Sequence, residues 1–582
     1  MMQRSAGRSC FPAREGEMRA TGASAEFKVA AYAGTYVVVL AWDTLDGNRP
    51  TRANLLGFAI ERAELDAQGE EVERYWMRGI KRFMDKDKGL PPGTPVSTAD
   101  HPIQTFQWAD YTAKAGTRYL YRVVPVYGTA KNTRLDEAAA AVVDITAESE
   151  IGPIAEAQGA RHDIFFNRGV IGSQAYAREF GNSEPDADRP QSAQMRWLSR
   201  GLFEALTGFI GLAVDGMKLR AAFYEFHYLP VANAFMKAIE AGADVKVVFD
   251  DESTYKTGNR ATIETAGLDQ YSAVIGRTVT EGIRHNKFIV LLDGEQPIAV
   301  WTGSTNISPG GIFGHSNVGH IVWDRQVAEK YHAYWERLAA NLTPRKLRAP
   351  NKAATPTPDG RPPKGSVTPL FSPRDDETSN ETLDWYAARL AEAREVSCMT
   401  FAFNINPAFQ GVFQAENDVL RYLVKDDPLD GSESIGHDRD VIFAAGSYLG
   451  QDALANFLRE RANPLNRNRY IHNKFMLVDP LGSDPLVVTG SANFSKPSQR
   501  INDENMLVIR GDRRVADIYF GEFMRIFDHH YARYIVKILS DAGRSDPNAG
   551  YLKDKTADWL PAHFSAASYK SKRRKYFASP QS

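Results

Sequence analysis

An internal duplication constrains this chain more than any other feature. The segment RHNKFIVLLDGEQPIAVWTGSTNIS, residues 284–308, recurs as IHNKFMLVDPLGSDPLVVTGSANFS at residues 471–495. His285 and His472 are 187 positions apart (472 − 285), and Lys287/Lys474, Gly303/Gly490, Ser304/Ser491 and Asn306/Asn493 share that offset. A repeated unit of this kind predicts a repeated fold. Side chains alternate faces along a strand, so a histidine and a lysine two residues apart point the same way. The apolar runs Phe288–Leu292 and Phe475–Val478 bury those strands, and each Gly-Ser-x-Asn turn brings a hydroxyl and an amide to the end of the next strand. Two copies brought together offer two imidazoles, two ammonium groups and neutral donors around one pocket. That set suits a phosphate diester: cations neutralise its oxygens, one imidazole attacks and the other protonates the leaving group.

At these residues the chain resembles the phospholipase D superfamily, marked by a duplicated HxK(x)4D motif followed by GSxN. The second copy matches throughout, with His472, Lys474, Asp479, Gly490, Ser491 and Asn493. Glu504 stands where the family often has an acid that orients the histidine of the other copy. The first copy departs twice: Leu292 takes the place equivalent to Asp479, with Asp293 one residue late, and the counterpart of Glu504 (504 − 187 = 317) is Asn317. A one-residue slip reverses side-chain direction, so Asp293 fills the family role only if a bulge re-aims it.

The resemblance spans about residues 160–540 and implies a two-step reaction. His285 would form a phosphohistidine while His472 protonates the leaving alcohol, and His472 would then activate water. Lys287, Lys474, Asn306 and Asn493 would hold phosphoryl oxygens, with Ser304, Ser491, Gly303 and Gly490 in the substrate-binding turns. It implies Asp479 and Glu504 as accessory acids and no metal or other cofactor. The expected activity is hydrolysis of a glycerophospholipid to phosphatidic acid and a headgroup alcohol, with peripheral membrane contact. The alternatives are a metal-independent nuclease of the same superfamily, a phosphatidyl transferase, and a degenerate member that binds phosphorylated ligands. Both motif copies lie in one chain, so a monomer suffices for the site.

The rest of the sequence sets the expected architecture: an α/β protein with two pseudo-symmetric lobes, each a mixed sheet flanked by helices, preceded by a small β-sandwich. Residues 26–150 hold TYVVVLAW, LLGFAIERA, TFQWADY and RYLYRVVPVYG, rich in β-branched and aromatic residues and separated by turn clusters. Ala115–Tyr119 before the last of these resembles a late strand of fibronectin type III modules. Strand and helix patterns alternate over residues 160–342, as βαβ units do. Residues 343–380, rich in proline, read as a linker, and the α/β pattern resumes over residues 381–545. Glu225 and His227, at the end of an expected strand, and His315 and His320, near the first motif, fit either the pocket or the core.

Lys+Arg 70 against Asp+Glu 72 gives a net charge of −2. That balance excludes a surface coated in basic charge, the footprint of general nucleic-acid binding. Two cysteines, Cys10 and Cys398, exclude a disulfide framework and a cysteine zinc site. Residues 1–25 read as a disordered N-terminus without the apolar run of an export signal. No stretch is long enough to span a membrane, so the expected location is the cytoplasm. Residues 546–582 read as a basic tail around YKSKRRKYF.

Overall fold

The computed structural model describes residues 18–91, 93–153, 160–169, 173–430, 433, 435, 440–446, 465, 470–541, 543 and 550–579. They form two compact units, one from residues 18–149 and 550–579, the other from the described residues between 150 and 544. Among the described residues no helix is long and apolar enough to cross a membrane.

The first unit contains the expected β-sandwich. One sheet orders its strands Arg19–Ala23, Phe27–Ala33, Val38–Thr44 and Gln107–Asp110; the other runs Thr133–Leu135, Arg118–Gly128, Leu55–Leu65 and Glu71–Trp76, with Ala141–Thr146 also on Arg118–Gly128. Inward residues of both sheets, among them Val29, Trp42, Phe58, Tyr121 and Val143, share one apolar core. The sandwich starts earlier than expected, because Arg19–Ala23 pairs antiparallel with Phe27–Ala33. Its sequence, RATGA, has no alternating apolar face, so the backbone ladder rather than side-chain pattern defines it. Residues 1–17 of the expected disordered segment lie outside the described residues.

The C-terminal segment is folded, which corrects the expectation of a basic tail. Trp559 and Leu560 sit in the sandwich core. Helix Tyr569–Phe577 buries Ser571, Arg574 and Phe577, three residues spaced along one face. The Arg574 guanidinium pairs with Asp43, both side chains almost fully buried, and lies 3.9 Å from the Phe564 ring centroid. The Tyr32 hydroxyl donates to the Phe577 carbonyl at 2.8 Å. Charge density alone read as solvated surface; one arginine of the cluster is instead the helix's anchor.

The second unit holds two seven-stranded sheets with one topology. The first is ordered Arg161–Phe166, Val318–Trp323, Gln296–Gly303, Lys287–Asp293, Met217–Phe223, Asp244–Asp250, Val274–Arg277. The second is Val367–Ser372, Glu504–Arg510, Leu486–Gly490, Phe475–Val478, Val396–Phe401, Leu420–Lys425, Val441–Ala445. In both, the last three strands are parallel and the other pairings antiparallel. The duplicated motif is therefore a duplicated sheet, with each His-Lys strand at its centre.

The expected linker at 343–380 is corrected by two elements. Helix Pro344–Ala354 begins with proline at its first turn, where no N–H is needed, and the Asn351 amide donates to the Pro373 carbonyl. Strand Val367–Ser372 is the edge of the second sheet, the counterpart of Arg161–Phe166. Pro369 lacks an N–H, which an edge strand tolerates and a central one does not; composition hid the strand for that reason.

Breaking one side of a buried ion pair leaves the other charge uncompensated, at a cost of about 3–5 kcal/mol. Arg574→Ala is expected to lower the stability of the sandwich unit by that amount and to expose the C-terminal segment to protease. Urea unfolding followed by tryptophan fluorescence and limited proteolysis check both; an unchanged midpoint would deny the anchoring role.

Candidate active site

Each lobe supplies a histidine, and the other lobe supplies the group that holds it. His285 Nδ1 lies 2.9 Å from Glu504 Oε2, and His472 Nδ1 lies 3.0 Å from Asn317 Oδ1. All four side chains are buried. The surrounding backbone repeats the exchange: Asp503 N–H donates to the Ile283 carbonyl at 2.9 Å, and Ser316 N–H donates to the Tyr470 carbonyl at 2.8 Å. These pairs are equivalent by the 187-residue offset, so the two copies clasp about a pseudo-twofold axis. The Arg277–Asp503 ion pair and the hydrogen bond that Asn505 Nδ2 donates to Asn286 Oδ1 also cross between the lobes.

The two imidazole centroids are 6.5 Å apart with ring planes at 70°. Lys287, the first residue of strand Lys287–Asp293, and Lys474, just before strand Phe475–Val478, each donate to the carbonyl of the histidine two residues back. Asn306 Nδ2 donates to Glu225, while Oδ1 of Asn306 and Oδ1 of Asn493 have no hydrogen-bond partner among the described residues.

The Gly-Ser-x-Asn turns act differently from the expectation. Ser304 Oγ donates to Asn317 Oδ1 at 2.7 Å and accepts from Val318 N–H. Ser491 Oγ donates to Glu504 Oε2 at 2.7 Å and accepts from Asn505 N–H. Both hydroxyls are spent on aiming the group that holds a histidine, which corrects their placement as substrate ligands. Gly303 and Gly490 serve close packing: a Cβ would lie 2.2 Å from the Val318 carbonyl oxygen in one copy and from the Asn505 carbonyl oxygen in the other. Gly303 also has φ 138°, which side chains disfavour.

Asp479 is likewise corrected. It lies at the end of Phe475–Val478 opposite His472, and its carboxylate accepts the backbone N–H groups of Arg394, Glu395 and Val396. It caps the start of the neighbouring strand and takes no part at the imidazoles. In the first copy a register shift falls between Leu291 and Leu292; Leu292 is buried and Asp293 ends the strand exposed. The bulge does not bring Asp293 into the site.

Residues beyond the motif complete the walls. Tyr224 packs edge-on to His285 at 5.1 Å, and the Lys287 ammonium lies 5.4 Å from the Tyr224 ring centroid. His227 stacks on Tyr255 at 5.6 Å, and His315 lies 4.4 Å from His472 while Asn317 Nδ2 contacts its Nδ1 at 2.8 Å. Of the ambiguous residues, His315 and Glu225 thus join the site. His320 does not: it bonds His162 and Tyr519 in a separate buried cluster. The signal for Tyr224 and Glu225 was positional, since strand Met217–Phe223 pairs with Lys287–Asp293 and delivers the next residues beside His285.

Electrostatics differ between the two histidines. Burial pulls the His285 imidazole down to about 4, with the Glu504 carboxylate partly offsetting it. Burial, then Lys474 and His315, hold the His472 imidazole well below its ordinary value, and its Nδ1 partner is the neutral Asn317 amide rather than a carboxylate. Burial brings the Lys287 ammonium down to about 7, against the pull of Glu504 and Glu225. The site is therefore desolvated at the expense of its cationic forms, and an anion there would favour them.

Residues 216–339 and 442–529 match the family described as "Cardiolipin synthase, PLD-like domain". No curated protein sequence matches the chain. Among solved structures, phosphatidylserine synthase of Haemophilus influenzae is similar at 13% identity and TM-score 0.40, over 59% of this chain and 92% of that one. Nuc of Salmonella typhimurium, a phospholipase D family member, is similar at 22% identity and TM-score 0.20, over 24% and 87%. Polyphosphate kinase of Porphyromonas gingivalis is similar at 13% identity and TM-score 0.35, over 53% of this chain; the chain spans less than half of that kinase, 46%.

The neutral Asn317 amide leaves His472 without a counter-charge. Asn317→Asp is expected to raise the pH at which His472 titrates, because a carboxylate at that place favours the imidazolium. Imidazole proton shifts followed through a pH series check this, and an unmoved His472 signal would deny the cross-lobe contact.

Proposed function

We propose that this chain, a member of the phospholipase D superfamily of phosphodiester-processing enzymes, hydrolyses glycerophospholipids to phosphatidic acid and a free alcohol. The observation that carries the reading is the pair of buried imidazoles from two lobes, 6.5 Å apart, each followed two residues on by a buried lysine.

The asymmetry of their partners supports distinct roles. His285 Nδ1–H donates to Glu504, which leaves a lone pair on Nε2 and favours positive charge on the ring as a bond forms there. His285 Nε2 attacks phosphorus, the bond from phosphorus to the leaving oxygen breaks, and that oxygen takes a proton from His472. In the second step His472 accepts a proton from water, the oxygen attacks phosphorus, and the P–N bond to His285 breaks. His472, paired with an amide, gives up a proton more readily than an imidazolium held by a carboxylate. Entry of the phosphodiester anion offsets the field of Lys287 and Lys474 and lets His472 carry that proton. The two lysines, with Asn306 and Asn493, stabilise the charge on the phosphoryl oxygens in both steps.

Three features favour a lipid over a nucleic acid. The net charge of −2 offers no broad cationic surface. The family description concerns a cardiolipin synthase. Leu229 and Phe403 are exposed just beyond Met217–Phe223 and Val396–Phe401, the strands that pair with the two His-Lys strands. Apolar groups there suit acyl chains at a membrane surface.

The direct test is mass spectrometry of mixed phospholipid vesicles incubated with the purified protein in EDTA. Phosphatidic acid is the expected product, and His285→Ala and His472→Ala are each expected to lose at least about 10²–10⁴ of the rate. Substantial turnover in either folded variant would overturn the mechanism. Cleavage of DNA or RNA without lipid turnover would transfer the site to a nuclease, and binding without turnover of either would make it a ligand-binding relative.

The pH profile follows from the shifted groups. kcat/KM is expected to rise as His285 deprotonates through about pH 4 and to fall in two stages, as His472 gives up its proton below its ordinary value and as Lys287 loses its own through about pH 7. Arginine stays charged throughout that range, so Lys287→Arg is expected to move the alkaline limb upward. An unmoved limb would assign it to another group.

A further inference from the structure

The sandwich unit holds a second concentration of chemistry that the two-histidine site does not use. The C-terminal segment and the sandwich enclose a cavity of about 490 Å³, a size typical of small-ligand sites. Lys81, Lys553 and Lys570 line it, Asp558 is the one carboxylate among its described lining residues, and the buried His101 and His563 complete the polar wall. Among the described residues the Lys570 ammonium makes no ion pair.

The cations stand on fixed backbone. Leu552 N–H donates to the Arg82 carbonyl at 2.8 Å, which ties the residues beside Lys81 and Lys553 together. The Gln104 side chain holds Lys553 at both ends, donating to its carbonyl at 2.7 Å and accepting its N–H at 2.9 Å. His101 Nδ1 accepts the Phe83 N–H at 3.0 Å, and burial keeps the ring neutral, so its proton lies on Nε2 as a donor. Burial, then Lys570 and Arg573, hold the His563 imidazole down to about 3, a measure of the positive field there.

We infer that this cavity binds a phosphomonoester. Such a dianion accepts hydrogen bonds from several ammonium groups and from neutral imidazole N–H at once, which matches the donors that line this cavity. Two sources share that chemistry: a soluble phosphate ester and the exposed phosphate of phosphatidic acid in a membrane. The inference is independent of the reaction assigned to the other unit.

The test uses the full chain and a variant carrying Lys81→Ala, Lys553→Ala and Lys570→Ala, three residues remote in sequence from the catalytic motifs and none of them fully buried. Glycerol 3-phosphate is titrated while the His101 and His563 imidazole signals are followed, and flotation is measured with phosphatidylcholine vesicles with and without phosphatidic acid. Both signals are expected to shift in the wild type, and in the variant the response is expected to weaken by about tenfold or more. A response to glycerol 3-phosphate alone assigns a soluble ester, and lysine-dependent flotation on phosphatidic acid assigns the headgroup; either supports the site. Identical behaviour of wild type and variant with an unchanged urea midpoint would overturn the inference. So would silence of both histidines toward glycerol 3-phosphate together with no lysine-dependent flotation on phosphatidic acid, or lysine-dependent retention of an RNA oligonucleotide without a phosphomonoester response.

Discussion

The reciprocal clasp between the two lobes is the interaction on which the catalytic unit depends. Glu504 holds His285 and Asn317 holds His472, each reaching across the pseudo-twofold axis. Neither lobe contains a complete histidine pair with its partner. The clasp is built from backbone as well as side chains, through Asp503–Ile283 and Ser316–Tyr470. Each acceptor is aimed by the serine of its own lobe, and that serine stands at a turn where glycine lets two strands approach closely. The motif residues are thus links in one chain of positioning, in which only histidine, lysine and asparagine are left to meet a substrate.

Such a site opposes stability. Two lysines and two imidazoles share a desolvated space, and burial drives Lys287 and both histidines toward their neutral forms. The unfavourable field is tolerated because two large apolar cores flank it, one in each lobe. It is also what makes the pocket selective: an anionic phosphate replaces lost water as the partner of the cations, so binding and proton affinity rise together. Replacing a carboxylate by an amide in the first lobe makes the two histidines unequal, and unequal histidines can divide the work of attack and proton delivery.

The duplicated motif and its flanking apolar runs were enough to predict two α/β lobes and the central strands. His285, Lys287, His472 and Lys474 were legible because the repeat offset singles them out, and Glu504 was legible only through the family resemblance, since its repeat counterpart is Asn317. Other expectations failed for physical reasons. Pro369 and its neighbours read as linker because composition does not distinguish a free segment from an edge strand that can spare an N–H. The Tyr569–Phe577 helix read as tail because its anchoring depends on Asp43, more than five hundred residues earlier in the chain.

By itself the sequence determined which groups are available and that they come in two equivalent sets, since spacing along a strand settles which side chains share a face. Only the tertiary structure decided what each group does. Asp479 became a strand cap, Ser304 and Ser491 became supports, and Tyr224, Glu225 and His315 became walls, because these roles depend on neighbours from other strands and, for His315, from the other lobe. Local periodicity fixes the direction of a side chain; the partner it finds there comes from elsewhere in the chain.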